Sequence, residues 1–131
     1  MLCIVAALVL AAAGVGCSKD AQVREVEVIT PADGSLLIHD MGDRLTIIDV
    51  RTPEEFAAGH IDGAVNLDLE GGQFSTLIVD LPKNEAYLVY CHTGRRSALA
   101  ADTMAKAGFT DVRDMGGIAD WQSAGYPVVT G

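Results

Sequence analysis

Short apolar runs alternate along the chain with segments that carry helix-start signals. Apolar and β-branched runs predict strands at residues 26–29, 45–50, 64–67, 86–90 and 112–115. Between and after them, the pattern predicts helices at residues 31–41, 53–58, 70–81, 97–107 and 117–124, of which the third is loose. Strands that alternate with helices indicate an α/β fold, in which a mainly parallel sheet is covered by helices on both faces.

Two of the predicted helices begin with the same local signal. Thr30 precedes Pro31, and Thr52 precedes Pro53, so each threonine is placed to cap a helix whose first residue is proline. Glu55 stands three residues after Thr52, as in a capping box. Both helix starts are therefore expected from the sequence alone.

The eight residues YCHTGRRS, at positions 90–97, lie between a predicted strand and an alanine-rich predicted helix. Cys91 is expected where the strand ends, with an exposed side chain at the edge of the sheet where parallel α/β folds bind ligands. Backbone N–H groups, the positive end of a helix and two arginines would help its thiol to ionise. A lone cysteine is more often a small buried apolar residue, but such a residue needs neither Gly94 nor paired arginines. Cys91 is therefore the candidate nucleophile.

The rest of the loop is expected to contact an anionic substrate. These candidate substrate-binding residues are His92, Thr93, Gly94, Arg95 and Arg96. Arg96 is the principal candidate for binding the anion, and the alternative is that it ties the loop to a carboxylate such as Asp49. Arg95 is expected to point to solvent or to the rim of the pocket. The acid–base role of His92 stays open, because adjacency in sequence is not hydrogen-bond reach.

The first sixteen residues are apolar and uncharged, which is typical of the core of a signal peptide. They are followed by Cys17 in the context AGVGCSKD, which resembles a bacterial lipoprotein signal, although Gly14 stands where an aliphatic residue is usual. We interpret residues 1–16 as a signal peptide, 17–24 as a tether and 25–131 as one domain. The alternatives are a plain secretory signal and an uncleaved anchor.

This interpretation predicts an exported protein of the bacterial cell envelope, held to the membrane by a lipid on Cys17, or otherwise periplasmic or secreted. The chain has three cysteines, so cleavage of the signal and acylation of Cys17 would leave Cys91 as its only thiol. The net charge of −9 argues against a nucleic-acid partner. No cluster of His, Cys or Asp has metal-ligand spacing, and neither a metal nor another cofactor is expected.

Several motifs in order resemble the rhodanese (sulfurtransferase) family. They are DVR at 49–51, EFxxGHIxGAxN at 55–66, YC with its loop from 90, GGxxxW at 116–121 and GYPV at 125–128. The resemblance implies a five-stranded parallel sheet and a nucleophile at Cys91. It also implies that the thiolate takes the outer sulfur of thiosulfate or a similar donor, releases sulfite, and passes the sulfur from a persulfide to cyanide or a thiol.

Other functions on the same fold remain open. Related phosphatases and arsenate reductases also use a Cys…Arg loop, but with one more residue than the four that separate Cys91 from Arg96. Rhodanese-like binding modules commonly lack the cysteine. A persulfide carrier that hands sulfur to another protein would look the same in sequence.

Several residues outside the loop have predicted structural roles. Asp49 and Arg51 are expected to form an internal ion pair, with Glu55 as a further member. His60 is expected to fix a turn, and Trp121 to lie in the core or the pocket wall. A stripe of small residues is predicted to pack the helix after the loop against the sheet: Ala98, Ala101, Ala105 and Gly108.

Overall fold

Five parallel strands form one sheet in the computed structural model of the protein, which describes residues 25–131. The strand order is β1-β5-β4-β2-β3. The strands are β1 Glu27–Val28, β2 Leu45–Asp49, β3 Val65–Asn66, β4 Ala86–Cys91 and β5 Asp111–Gly117. The helices are α1 Pro31–Met41, α2 Pro53–Ala58, α3 Phe74–Leu77, α4 Arg95–Lys106 and α5 Ile118–Ser123, with a 3-10 turn at Gly42–Arg44. The predicted α/β fold and the parallel sheet are confirmed.

The central strand β4 is buried along its whole length, which explains its uninterrupted apolar sequence. Successive side chains point to opposite faces of the strand. Val89 and Cys91 therefore pack in one cluster, with Met104 of α4, and Leu88 in the other, with Trp121 of α5. Each large apolar side chain buried in this way contributes about 1.5–3 kcal/mol. These two layers fix the end of β4 between the helices.

The helix starts are those that the sequence predicts. The Thr30 Oγ1 accepts a hydrogen bond from the Asp33 N–H at 3.1 Å, and the Thr52 Oγ1 accepts one from the Glu55 N–H at 3.3 Å. Each cap satisfies a backbone donor that the helix leaves unpaired and contributes about 1 kcal/mol. The cap at Thr52 also places Glu55 in the first turn of α2, on the side from which it reaches the loop after β4.

Two predictions about helices were wrong. The loose helix at 70–81 is reduced to the four residues of α3. The buried face of α4 consists of Ser97, Ala100, Ala101 and Met104. Of the predicted stripe, Ala101 is therefore buried as expected and Ala105 is partly buried, whereas Ala98 and Gly108 are exposed. Because adjacent helical residues lie about 100° apart, an error of one position in phase turns a predicted stripe away from the core.

Within residues 25–131, no helix has both the length and the apolar character needed to cross a membrane. The predicted signal peptide, the tether and Cys17 lie outside the residues that the structure describes.

Candidate active site

Cys91 is the last residue of β4 and pairs with Gly117 of β5. Its side chain is 1 % exposed, so the expectation of an exposed thiol was wrong. The reason is that Cys91 still belongs to the strand, and its side chain joins the apolar cluster under α4. The sulfur nevertheless has polar neighbours: the Gly94 N–H donates to Sγ at 2.9 Å, and the Ser97 Oγ lies 3.5 Å from it.

The loop after Cys91 curls back over the sulfur because of Gly94. This residue has φ of 110°, in the left-handed region that side chains rarely adopt, and it caps the twelve-residue helix α4. The turn aims its N–H at Sγ, and the first turn of α4 follows directly. A negative charge on the sulfur is therefore stabilised by a directed hydrogen bond and by the positive end of a helix dipole.

Two glycines of β5 support the loop from behind. A Cβ at Gly117 would lie 2.8 Å from the Thr93 Cα and would clash with the His92 carbonyl oxygen. The same carbonyl accepts a hydrogen bond from the Ala119 N–H at 3.3 Å. Gly116, with φ of 81°, follows a bulge in the pairing between β4 and β5. The loop therefore rests on a surface without side chains.

Sequence reasoning missed this support and the contact of Ser97 with the sulfur. The signal for the first was the pair of glycines at 116–117, which appeared only as part of a family motif. The signal for the second was the hydroxyl six residues after Cys91, in the first turn of the helix. Its Oγ donates to the Gly94 carbonyl at 3.1 Å, so Ser97 also fixes the loop.

Arg96 forms a two-pronged ion pair with Glu55 of α2. Its Nη1 and Nη2 donate to the two carboxylate oxygens at 2.7 and 2.9 Å. Hydrogen bonding from Arg96 holds the pKa of Glu55 at about 2, against the opposing effect of burial. The same bond raises the pKa of Arg96. The geometry favours the alternative in which Arg96 ties the loop to a carboxylate, and that carboxylate is Glu55 rather than Asp49. Binding of an anion by Arg96 stays a prediction.

The predicted ion pair between Asp49 and Arg51 is confirmed, and both side chains are buried. Arg51 Nη2 donates to Asp49 Oδ2 at 2.7 Å and to the Gly59 carbonyl at 2.6 Å. Burial by itself lowers the pKa of Arg51, but the hydrogen bond and charge of Asp49 outweigh it and the pKa is raised. Glu55 is not a member of this pair, because its carboxylate is engaged by Arg96. The pair joins the end of β2 to the end of α2.

Apart from Gly94, the candidate substrate-binding residues make no hydrogen bond to the Cys91 sulfur. His92, Thr93 and Arg95 are exposed, and Gly94 and Arg96 are partly buried. Among residues 25–131, the only hydrogen-bond neighbours of the Cys91 sulfur are Gly94 and Ser97. The structure therefore gives His92 no contact through which it would exchange a proton with the thiol.

His60 and Trp121 have the structural roles expected of them. His60 is buried, its Nδ1 lies 2.8 Å from the Phe56 carbonyl oxygen, and its ring stacks on Phe56 at 3.7 Å. Trp121 is buried and donates through Nε1 to the Pro127 carbonyl at 2.9 Å. In the described part of the chain, no group of three His, Cys, Asp or Glu residues is placed to hold a metal ion.

The family described as Rhodanese-like domain matches residues 34–124. The chain belongs to this family. A solved rhodanese with anions from Escherichia coli is 35% identical, with a TM-score of 0.54, over 66% of this chain and 99% of that one. A rhodanese-related protein from Thermoplasma volcanium is 32% identical, with a TM-score of 0.62, over 79% of this chain and 97% of that one.

Curated relatives of this rhodanese-like chain carry sulfur-related names. Thiosulfate sulfurtransferase PspE of Escherichia coli is 37% identical over 56% of this chain and 70% of its own length. The putative sulfur carrier protein YrkF of Bacillus subtilis is 40% identical over 63% of this chain. The chain spans only 44% of YrkF and 29% of the probable adenylyltransferase/sulfurtransferase MoeZ of Mycobacterium tuberculosis. The predicted family resemblance is confirmed.

Proposed function

We propose that the protein is a sulfurtransferase that moves sulfane sulfur through a persulfide on Cys91. The observation that carries this proposal is the Gly94 N–H directed at the Cys91 sulfur at 2.9 Å, at the N-terminus of α4. This arrangement stabilises negative charge on the Cys91 side chain, as a thiolate before the reaction and as a persulfide anion afterwards. The names of the sulfurtransferase and sulfur-carrier relatives support the same chemistry.

The reaction has two balanced steps. In the first, the Cys91 thiolate attacks the outer sulfur of thiosulfate or a similar donor. A new S–S bond forms, the S–S bond of thiosulfate breaks, and sulfite leaves with the electron pair of that bond. In the second, cyanide or a thiolate attacks the outer sulfur of the persulfide, and the Cys91 thiolate is released. Neither step requires an external oxidant, and the enzyme alternates between two covalent states.

A protein-persulfide carrier is the second candidate. The resemblance to YrkF, named as a putative sulfur carrier, favours it, and the burial of Cys91 is compatible with a sulfur that must be protected between donor and acceptor. The two functions share the first step and differ only in the acceptor. A solved neighbour from Rhodopseudomonas palustris, described as a possible tyrosine phosphatase, is 29% identical, but a phosphatase would need Arg96 for phosphate, and this arginine is paired with Glu55.

The proposal extends to location. The context of Cys17 supports export and acylation of that cysteine, which would hold the domain at the membrane through the tether. A donor and acceptor in the cell envelope would then be the physiological partners.

Mass spectrometry of the purified protein after incubation with thiosulfate tests the function. We expect Cys91 to gain one sulfur, and cyanide to remove it with release of thiocyanate. Cys91→Ser is nearly isosteric, so it should keep the fold, measured by circular dichroism, and lose sulfur transfer. Turnover of the serine variant within tenfold of the parent would contradict the assignment. Sulfur that loads on Cys91 and moves to a protein thiol but not to cyanide would favour the carrier.

A further inference from the structure

Two carboxylates, those of Glu55 and Glu70, approach Arg96 at the end of the Cys91 loop. Glu55 occupies both terminal nitrogens of Arg96, and Glu70 approaches the same guanidinium with its Oε1 3.7 Å from Nη1. Glu70 belongs to the segment after β3, which lies along the end of β2 because the Leu67 and Leu69 N–H groups donate to the Asp49 and Val50 carbonyls. The backbone therefore holds Glu70 at the edge of the sheet where the loop lies.

The two carboxylates differ in what they do for the structure. Glu55 is bonded at 2.7 and 2.9 Å and fixes the loop. Glu70 is a second carboxylate beside the Arg96 guanidinium, which is already paired with Glu55, and the Glu70 side chain is 59% exposed. Both carboxylates approach Arg96, and Arg95, the residue before it, brings the formal charge summed over these four groups to zero, within a chain of net charge −9. No excess of positive charge is left among these four groups to attract an anion.

We propose that Glu70 is a specificity-determining residue that discriminates against doubly charged sulfur donors at Cys91. This inference rests on the proposed sulfurtransferase function and names the class of donor that the site favours, a sulfane compound with one negative charge or none. Thiosulfate carries two negative charges, so its repulsion by Glu70 is about twice that of a donor with one negative charge. Glu70 therefore raises the energy barrier to the approach of thiosulfate by about twice as much. Glu70 acts on the donor through its charge and does not take part in bond making.

Methanethiosulfonate is a matched probe, because it presents the same outer sulfur as thiosulfate with one negative charge less. The Cys91 thiolate attacks that sulfur, the S–S bond of the donor breaks, and methanesulfinate leaves with the electron pair. Cys91 keeps the transferred sulfur as a persulfide, as it does with thiosulfate. A comparison of the two donors therefore varies the charge while the chemistry at Cys91 stays the same.

The experiment measures the second-order rate of sulfur loading on Cys91 for both donors, in the parent and in Glu70→Gln and Glu70→Lys, at low and high salt. For an assumed separation of about 8 Å between the Glu70 carboxylate and the charge of the donor, in a water-like dielectric, loss of one charge predicts a gain of about sixfold for thiosulfate and about twofold for methanethiosulfonate. Glu70→Lys should roughly square each gain, and high salt should reduce all of them. Glu85→Gln is the control, because this exposed residue precedes β4 at its other end, about 20 Å from Cys91.

The pattern of rates separates the possible outcomes. Three features of the loading rates together support the proposal. The gain is larger for thiosulfate than for methanethiosulfonate, it is larger in Glu70→Lys than in Glu70→Gln, and it becomes smaller at high salt. Equal changes for both donors, or no change in the Glu70 variants, would overturn it while leaving the sulfurtransferase function intact. A gain of the same size in Glu85→Gln would also overturn it, because the effect would then belong to net charge. If neither donor loads Cys91 in any variant, the proposed function itself fails.

Discussion

The ion pair between Glu55 and Arg96 should be a measurable source of stability, although it lies near the surface. It joins residues that are 41 positions apart in the chain and ties the first turn of α4 to the first turn of α2. Glu55→Gln and Arg96→Gln each remove one charge and keep most of the side chain. The two single variants and the double variant form a cycle that isolates the energy of the pair.

The structure sets the size of the effect. The Glu55 pKa falls from 4.5 to about 2, chiefly through its hydrogen bonds from Arg96. A shift of that size corresponds to an upper limit of about 3 kcal/mol. Arg96 is 20% and Glu55 32% exposed, so solvent screens the pair. We therefore expect a coupling energy of about 1–2 kcal/mol, above the 0.2–1 kcal/mol of ordinary surface pairs.

The pair should also respond to pH in a defined window. The Glu55 pKa is lower in the folded than in the unfolded chain, so its stabilising contribution is complete above pH 4.5 and is lost as the pH falls through about 2. A coupling energy measured at pH 3 should therefore be less than about half of the value at pH 7.

Urea denaturation of the four proteins at both pH values gives the measurement. The pair between Asp102 and Lys106 is the control, because it lies on the same helix α4, at 2.8 Å, with side chains 53% and 76% exposed. Its coupling should not exceed about 0.5 kcal/mol. A coupling for Glu55 and Arg96 no larger than this control, or one that is unchanged at pH 3, would refute the reasoning.

Two further predictions concern the loop support and the anchor. Gly117→Ala should destabilise the protein by about 3 kcal/mol, because the new Cβ meets loop backbone that cannot move away, and thermal denaturation measures this loss. It should also abolish sulfur loading, which mass spectrometry measures. Gly59→Ala is its control, since that Cβ meets only Val128 at 3.6 Å, and an equal loss there would contradict the steric argument. Cys17→Ala should move the protein from the membrane to the soluble fraction of a bacterial host; an unchanged distribution on fractionation would exclude the lipid anchor.

The elements that the sequence predicted well depend on neighbours in the chain. Thr30 caps α1 by accepting from a backbone group three residues away, and the apolar run of β4 is buried whichever helices cover it. Such signals are visible in any short window of sequence. The parallel sheet followed from their alternation, because strands joined through helices run in the same direction.

The parts of the site that were missed depend on contacts between distant residues. Nothing near Arg96 in sequence indicates that its partner is Glu55, and a capping box assigned that glutamate to its own helix. The burial of Cys91 depends on where β4 ends, and one more residue of pairing with Gly117 was enough to turn the side chain inward. Boundaries and ion-pair partners are decided by tertiary packing, which a local pattern does not contain.

The position of Arg96 in its helix also determines what its neighbour can do. Arg95 and Arg96 are the first two residues of α4, so their side chains leave the helix about 100° apart. Since Arg96 faces Glu55, Arg95 leaves the helix in a different direction and remains exposed. Arg96 then keeps the shape of the loop, and Arg95 supplies a positive charge that Glu55 does not neutralise. Glu70 lies beside Arg96 and adds a negative charge at the same end of the sheet. On the specificity proposal, the sum of these charges, rather than the number of arginines, should govern which anions reach Cys91.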